Sequence, residues 1–330
     1  MKVLITGGAG FLGARLARAL LARGELAGRP LTGLVLADLV APPPDLCAEV
    51  LVSVREGQLM AQADALAREG LDGVFHLASA VSAECEADFE LGLRSNLDST
   101  RALLDALRRQ GGGARLVFAS SVAVYGSDPA LPLPPVVHDE TLPTPQSSYG
   151  IHKFICEQLV ADYTRKGFID GRSARLMTVA VRPGRPNGAA SGFLSGIVRE
   201  PLAGLDAVCP VAPETRVALA SPASTIAGLI RVFEASREDF GGRTALNLPA
   251  LSVSVAEMLD ALEILAGPEA RARVRFEPDA AIARIVGAWP ARFESQRAAR
   301  LGLRPDADFI SVLRQYAQDH AEAVRVPLRC

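Results

Sequence analysis

Residues 1–23 read MKVLITGGAGFLGARLARALLAR, and this stretch decides how the rest of the chain is read. An apolar run over 2–6 ends in Thr6-Gly7-Gly8-Ala9-Gly10-Phe11-Leu12-Gly13, and helical spacing follows over 11–23. Strand, glycine turn and helix in that order make the opening of a βαβ unit. Gly7 permits a tight turn, and Gly10 lets the backbone approach a pyrophosphate with no side chain between them. Gly13 allows the helix to pack closely on the strand. The amides and positive end of that helix face the phosphates, so Gly7, Gly10, Phe11, Leu12 and Gly13 are expected cofactor contacts. A glycine spacing alone reads equally well as a turn with a helix cap; its place after a first strand selects the binding reading.

Outward from this turn, strands are predicted over 31–38, 50–54, 73–78, 115–120 and 176–182. Helical spacing covers 89–109 and 148–166, the latter broken by Gly167 and Gly171. The alternation predicts an α/β fold, a Rossmann-type doubly wound parallel sheet with helices on both faces. After Arg182 the texture changes, with Pro183, Pro186, Pro201, Pro210, Pro213 and Pro222 interrupting the periodic runs. Residues 1–182 are therefore expected to form the dinucleotide-binding domain. Residues 183–330 are expected to be mainly a smaller substrate domain, with segments from about 215–248 returning to the first. A short strand is predicted over 246–248, and helices over 255–265 and 308–323.

Composition narrows the class. A net charge of −2 with no basic run gives no electrostatic case for nucleic acid or an anionic membrane. Five scattered cysteines, never in CxxC spacing, fit a reducing compartment better than a disulfide framework or zinc site. The opening apolar run is too short for a signal peptide, and no stretch is long and apolar enough for a membrane span. Cytoplasm is the expected location. Four histidines without ligand spacing make a metal site an unfavoured reading.

Asp38 ends the second strand at the offset where an acid accepts hydrogen bonds from the adenosine ribose. Its charge repels a 2′-phosphate, and Leu39, Val40 and Ala41 offer no cation to attract one, so NAD is expected rather than NADP. His76-Leu77-Ala78-Ser79 closes the fourth strand, where small residues let a cofactor lie across the sheet edge. His76 reads as a packed strand histidine rather than a catalyst. Asn96, a mediocre helix former in a helical stretch, is a candidate to bond backbone near the cofactor; a solvated helix position is the bland alternative.

The chemistry centres on Tyr149-Gly150-Ile151-His152-Lys153. A phenol and an ammonium four residues apart share one helix face. A neutral phenol is a poor base at neutral pH, but a nearby cation, Lys153 and later the nicotinamide ring, favours phenolate. Tyr149 can then take a proton from an alcohol as hydride leaves its carbon, while Lys153 also holds the nicotinamide ribose. Alone, the pair is a common surface spacing. It gains weight from Ser120-Ser121 at the end of the fifth strand, where a hydroxyl can bond the substrate oxygen. A serine hydrolase is disfavoured because no G-x-S-x-G surrounds these serines and His138 and His152 have no acid partner in view.

TGGAGFLG, HLAS, SNLDST, FASSVAVYG and TPQSSYGIHK together resemble the extended short-chain dehydrogenase/reductases, the group that includes the nucleotide-sugar epimerases. The resemblance covers the first half closely. It implies Ser121 as the catalytic serine, because VAVYG follows it, and Leu77, Ala78, Ser79, Asn96 and Gly184 as cofactor contacts. It departs at the third strand, where Ser53-Val54-Arg55 stands in place of an acid-containing adenine contact. It also implies a homodimer through the helices 89–109 and 148–166.

The second half, VRPGRPN over 181–187 and SGFLSGIVREPL over 191–202, is similar to the branch acting on D-erythronate and related four-carbon sugar acids. Arg185 stands where the sugar-epimerase branch carries an asparagine. A guanidinium matches a carboxylate through a bidentate pair, so Arg185 is the expected carboxylate anchor, with Arg199 and Arg216 as further candidates. Ala223 departs from the arginine common after Ser-Pro in that branch. The resemblance implies NAD-dependent oxidation of the C2 hydroxyl of such an acid to the 2-oxo acid. An NAD-dependent NDP-sugar epimerase or dehydratase is the alternative, and a non-catalytic dinucleotide sensor the third reading.

Overall fold

The computed structural model describes residues 1–184 and 191–329. Its first part runs β1 (Lys2–Thr6), α1 (Phe11–Arg23), β2 (Gly33–Asp38), β3 (Val52–Glu56), α2 (Leu59–Ala67), β4 (Gly73–His76), α3 (Ser99–Gln110), β5 (Arg115–Ser121), α4 (Ser148–Arg165) and β6 (Asp170–Leu176). Then follow β7 (Thr178–Val179), α5 (Phe193–Leu202), β8 (Arg216–Ala220), α6 (Pro222–Glu234), β9 (Leu246–Asn247), β10 (Leu251–Ser254), α7 (Val255–Ala266) and α8 (Phe309–Asp319).

The main sheet has the order β9-β6-β5-β4-β1-β2-β3, and every pairing in it is parallel. This is the expected doubly wound α/β sheet. Because side chains alternate along a strand, β1 sends Val3 and Ile5 to one face, where Leu16 and Leu20 of α1 and Leu229 and Phe233 of α6 cover them. Leu4 points the other way, towards Leu66 of α2, Leu103 and Leu107 of α3 and Val160 of α4. Chain order reverses between β1 and β4, which opens a crevice at the carboxyl ends of those strands.

A second core lies beyond this sheet. There β8 pairs parallel with β7 and antiparallel with β10, and Val217, Leu219 and Val253 pack under Leu194, Ile197 and Val198 of α5 and Met258, Leu259 and Leu262 of α7. Meanwhile α6 and β9 rejoin the main sheet.

The sixth strand differs from expectation. It is β6, Asp170–Leu176, and not 176–182, of which Thr178–Val179 pairs in the small sheet instead. The sequence DGRSARL is too polar to announce a buried strand, yet all its residues but Asp170 are buried. Its charges find partners inside. Arg172 donates to the carbonyls of Val232 and Phe233 at 2.8 and 2.5 Å, and Arg175 makes a bidentate pair with Glu157 at 2.9 and 2.7 Å. Nor does Gly171 break a helix: a Cβ there would stand 2.6 Å from Thr164 Oγ1 and 2.7 Å from Val160 Cγ1, so glycine lets α4 pass close over β6.

The helical stretch 89–109 is also not continuous. A short turn Phe89–Gly92 leads into a π-helical segment, Leu93–Asp98, before α3 begins. Such widened turns gather at functional sites, and this one carries Asn96.

Candidate active site

The glycine turn lies at the mouth of the crevice. Gly7 has φ +72°, a conformation other residues adopt only under strain. A Cβ on Gly13 would stand 2.0 Å from the Gly7 carbonyl oxygen, so the helix can begin this close to the strand only with glycine there. The N-cap residue Gly10 brings no side chain to bond the first-turn amides of α1, which leaves those of Phe11, Leu12 and Gly13 for an anion. Asp38 closes the other side: its carboxylate accepts from the Ala9 amide at 2.9 Å and from its own neighbour Leu39 at 2.6 Å. Turn and acid are thus one unit, and they suit a dinucleotide.

Beneath the turn, Thr6 Oγ1 accepts from the amides of Leu77 and Ala78, both at 3.2 Å, and meets His76 Nδ1 at 2.6 Å. His76 Nε2 lies 2.8 Å from Thr100 Oγ1. Burial, helped by the charge of Lys153, drives the His76 pKa down to about 3. It is a neutral packing residue, in keeping with its strand position.

Asn96 is buried and bonds backbone as expected. Its Oδ1 accepts from the Ala80 amide at 2.7 Å and from Ser79 Oγ at 3.0 Å, while its Nδ2 donates to the Ala80 carbonyl at 3.2 Å. The π-turn leaves its own carbonyl oxygen to the Thr100 hydroxyl at 2.6 Å and the Cys156 thiol at 3.4 Å. Asn96 therefore ties the loop after β4, with Leu77, Ala78 and Ser79, to α3 and α4.

Ser121, Tyr149 and Lys153 come together at the carboxyl end of β5. Ser147 caps α4 by accepting from the Gly150 amide at 3.1 Å, which sets Tyr149 in the first turn. Lys153, one turn on, is buried; its Nζ donates to the Ala119 carbonyl of β5 at 2.8 Å and lies 5.6 Å from the centre of the Tyr149 ring. Ser121 Oγ accepts from the Ala123 amide at 3.1 Å and faces the Tyr149 phenol. The neighbouring Ser120 is turned inward, donating to Glu157 at 2.5 Å. The two adjacent serines thus have different surroundings, Ser120 buried against Glu157 and Ser121 only half-buried.

The electrostatics differ from the sequence reading. Burial raises the Tyr149 phenol to about 12, against the opposing effects of a hydrogen bond from Ser121 and the positive charge of Arg182. Arg182 is thus a second cation bearing on the phenol, beside Lys153 with its Nζ 5.6 Å from the ring centre. Burial also lowers Lys153 itself, to about 8. Desolvation outweighs the short spacing that suggested the pair, and a positively charged ring beside the phenol would act with Arg182 to restore phenolate.

Of the expected carboxylate anchors, Arg185 lies outside the described residues, next to Gly184, which is exposed with φ +81°. Arg199 does not present its guanidinium to the cleft. It is buried, donating to the Arg182 carbonyl at 2.9 Å and pairing with Glu200. Arg216 is engaged by Glu257 at 3.1 Å and by the Ser252 carbonyl at 3.2 Å.

Three contributors were missed. Gly150, which has no role in the sequence reading, is required there because a Cβ would collide with the Ala123 carbonyl. Arg182, expected at the end of a strand, lies beyond Thr178–Val179 and outside any strand. Glu157, one turn past Lys153, holds Ser120 and Arg175 in a buried network that continues through Tyr125 to Asn247. Its i+4 spacing from Lys153 was the available signal.

A phosphate-ready glycine turn at the switch point of a parallel sheet, with serine, tyrosine and lysine beside it, defines a nicotinamide-dependent oxidoreductase. The family model described as "NAD dependent epimerase/dehydratase family" matches residues 3–214, and the chain belongs to that family. It is similar over nearly its whole length to D-erythronate dehydrogenase of Cupriavidus necator, 50% identical over 327 residues, covering 97% of this chain and 98% of that one. The enzyme of the same name from Haemophilus influenzae is 40% identical, covering 96% and 99%. A nucleoside-diphosphate-sugar epimerase from Agrobacterium tumefaciens, of solved structure, superposes with a TM-score of 0.92 at 40% identity, covering 98% and 95%. No described helix is long and apolar enough to cross a membrane.

Proposed function

We propose that this oxidoreductase converts the C2 hydroxyl of a four-carbon sugar acid, D-erythronate or a close analogue, to the 2-oxo acid with NAD. The observation that carries the reading is the convergence of Ser121, Tyr149 and Lys153 in a chain half identical to a D-erythronate dehydrogenase. NAD, when bound, supplies the hydride acceptor. Gly7, Gly10, Phe11, Leu12 and Gly13 would hold its pyrophosphate and Asp38 its adenosine ribose, the carboxylate favouring NAD over a 2′-phosphorylated cofactor. Leu77, Ala78, Ser79, Asn96 and Gly184 would flank it.

Ser121 bonds the C2 oxygen and steadies charge developing on it. Tyr149, as phenolate, removes the hydroxyl proton, and in the reverse direction returns it. Lys153, anchored on Ala119, holds the nicotinamide ribose and keeps positive charge under the phenol. We read the assembly as a homodimer through the helices beside the sheet, where Phe89, Ile151 and Ile155 leave large apolar surfaces exposed.

The test is to incubate purified protein with NAD and a panel of aldonates and follow NADH. Turnover of a four-carbon aldonate is expected, with NADP a poor substitute. A second reading, an NDP-sugar epimerase, is favoured by the Agrobacterium structure; epimerised UDP- or dTDP-sugar with no aldonate oxidised would establish it instead. Tyr149→Phe separates catalysis from mere binding: NAD affinity should survive while turnover falls by about 100-fold or more.

A further inference from the structure

The ammonium of Lys153 has a rival partner one turn away. Lys153 and Glu157 stand four residues apart on α4, both buried, at the spacing where opposite charges on a helix ordinarily pair. Away from water that attraction is stronger than at a surface. Burial lowers the Lys153 pKa, and the charge of Glu157 opposes that fall. Yet among the described residues Lys153 pairs with no carboxylate. Its Nζ donates to the Ala119 carbonyl at 2.8 Å and lies 4.9 Å from the centre of the Phe118 ring.

Glu157 is kept from Lys153 because its oxygens are taken. Oε1 accepts from Ser120 Oγ at 2.5 Å and from Arg175 Nε at 2.9 Å, while Oε2 accepts from Arg175 Nη2 at 2.7 Å. Ser120 and Arg175 are direct neighbours across β5 and β6, so both reach the same carboxylate from the sheet. Arg175 is fixed from behind: its Nη1 donates to the Tyr125 hydroxyl at 2.5 Å, and that hydroxyl donates to Asn247 Oδ1 at 3.0 Å. The planar fork neutralises Glu157 through two parallel bonds. A buried carboxylate stripped of these donors demands another cation, and the ammonium one turn back on the same helix is in reach.

We propose that Arg175 and Ser120 are positioning residues for the reaction: by saturating Glu157 they prevent it from capturing Lys153, and so hold the ammonium at Ala119 beside Tyr149. The proposal rests on the reading of Ser121, Tyr149 and Lys153 as the hydride-transfer set, and not on which alcohol they oxidise. It gives the polar strand β6 a part in catalysis although none of its side chains need touch substrate.

The experiment measures kcat and KM for a four-carbon aldonate, per NAD-binding site, with thermal melting of each protein. The proteins are wild type, Ser120→Ala, Arg175→Met, Glu157→Gln and the double variant Arg175→Met/Glu157→Gln. Arg175→Met should lower kcat by about 100-fold with KM little changed, the cost of displacing a catalytic group by roughly an ångström. Ser120→Ala, which leaves the ion pair whole, should lower it by about 10-fold. Glu157→Gln removes the rival and should keep most of kcat in spite of a lower melting temperature. The double variant should regain most of what Arg175→Met loses. A merely structural role lowers the melting temperature and leaves kcat per site unchanged throughout.

Crystal structures of Arg175→Met and Ser120→Ala with NAD read the same displacement without a substrate: Lys153 Nζ should leave Ala119 and pair with Glu157. Nζ still on Ala119 in both structures overturns the inference, as does an Arg175→Met kcat that is unchanged or that Glu157→Gln does not restore. If Arg175→Met does not fold, Ser120→Ala decides through its own kcat and Nζ position. A wild-type protein that oxidises no aldonate overturns the proposed function, and the position of Nζ in the variant structures then decides this inference by itself.

Discussion

A Cβ at position 150 would stand 2.1 Å from the carbonyl oxygen of Ala123. The first turn of α4 therefore rests directly on the backbone that follows Ser121, and this contact is what brings the Tyr149 phenol to the serine. Two backbone segments meet there, so neither can yield as a flexible side chain would. Gly150→Ala should push the start of α4 away and lower kcat by about 100-fold, the cost of displacing a catalytic group by roughly an ångström. NAD binding, which depends on the glycine turn of α1, should change little. Steady-state kinetics with a cofactor titration checks both, and an unchanged kcat would refute the dependence.

Lys153 is a buried ammonium whose pKa is lowered to about 8. Between about pH 8 and its ordinary value of 10.5, the unfolded chain holds a proton that the folded chain has released. Stability should therefore rise with pH across that window, and below it the charge is a standing cost. Lys153→Met should remove the rise and increase the melting temperature at pH 7, while turnover falls by about 100-fold or more. Thermal melts from pH 7 to 10 alongside NADH production test the pair of effects; a variant less stable than wild type at pH 7 would contradict the argument.

Much of this site was legible because its signals are local. Glycine turn, strand-end acid, strand-end serine and the Tyr149/Lys153 spacing each lie within a few residues, and each restricts backbone or chemistry by itself. What escaped reading depends on partners distant in sequence. DGRSARL looks like a loop until Val232, Phe233 and Glu157 are placed against its arginines. The π-turn at Asn96 has no helical periodicity to distinguish it, and Arg182 gains meaning only when α5 is laid beside it.

Glu157 pairs with Arg175 in a nearly solvent-free interior, where removing one partner leaves the other charge uncompensated. Glu157→Gln should cost about 3 kcal/mol or more in stability, read as a lower urea midpoint with little change in slope. Replacing both members with apolar residues should recover much of that loss, and failure of the double variant to recover any would argue that Ser120 and Tyr125 carry the network instead.

His76 is buried neutral, its pKa driven down to about 3 from an ordinary 6.5. Its contribution is fully present above about pH 6.5 and is lost as pH falls towards 3, because the unfolded chain takes up the proton first. His76→Gln should flatten the decline of stability across that acid window. At pH 7 it should cost about 2 kcal/mol through the hydrogen bonds to Thr6 and Thr100. Urea unfolding at several pH values gives both quantities, and an unaltered acid slope would remove His76 from the account.

The outermost strand β9 reaches β6 from more than sixty residues downstream, after the chain has passed through the second core and back. During synthesis, the free edge of β6 must therefore remain unpaired until Asn247 has left the ribosome. Only then can Tyr125 meet Asn247, at 3.0 Å, and seal that side of the sheet. Until that point the nascent chain carries an open strand edge of the kind that recruits other chains. A chain truncated before residue 246 would keep every group of the Ser121, Tyr149 and Lys153 set and still be prone to aggregate, so β9 guards the solubility of a site to which it contributes no atom.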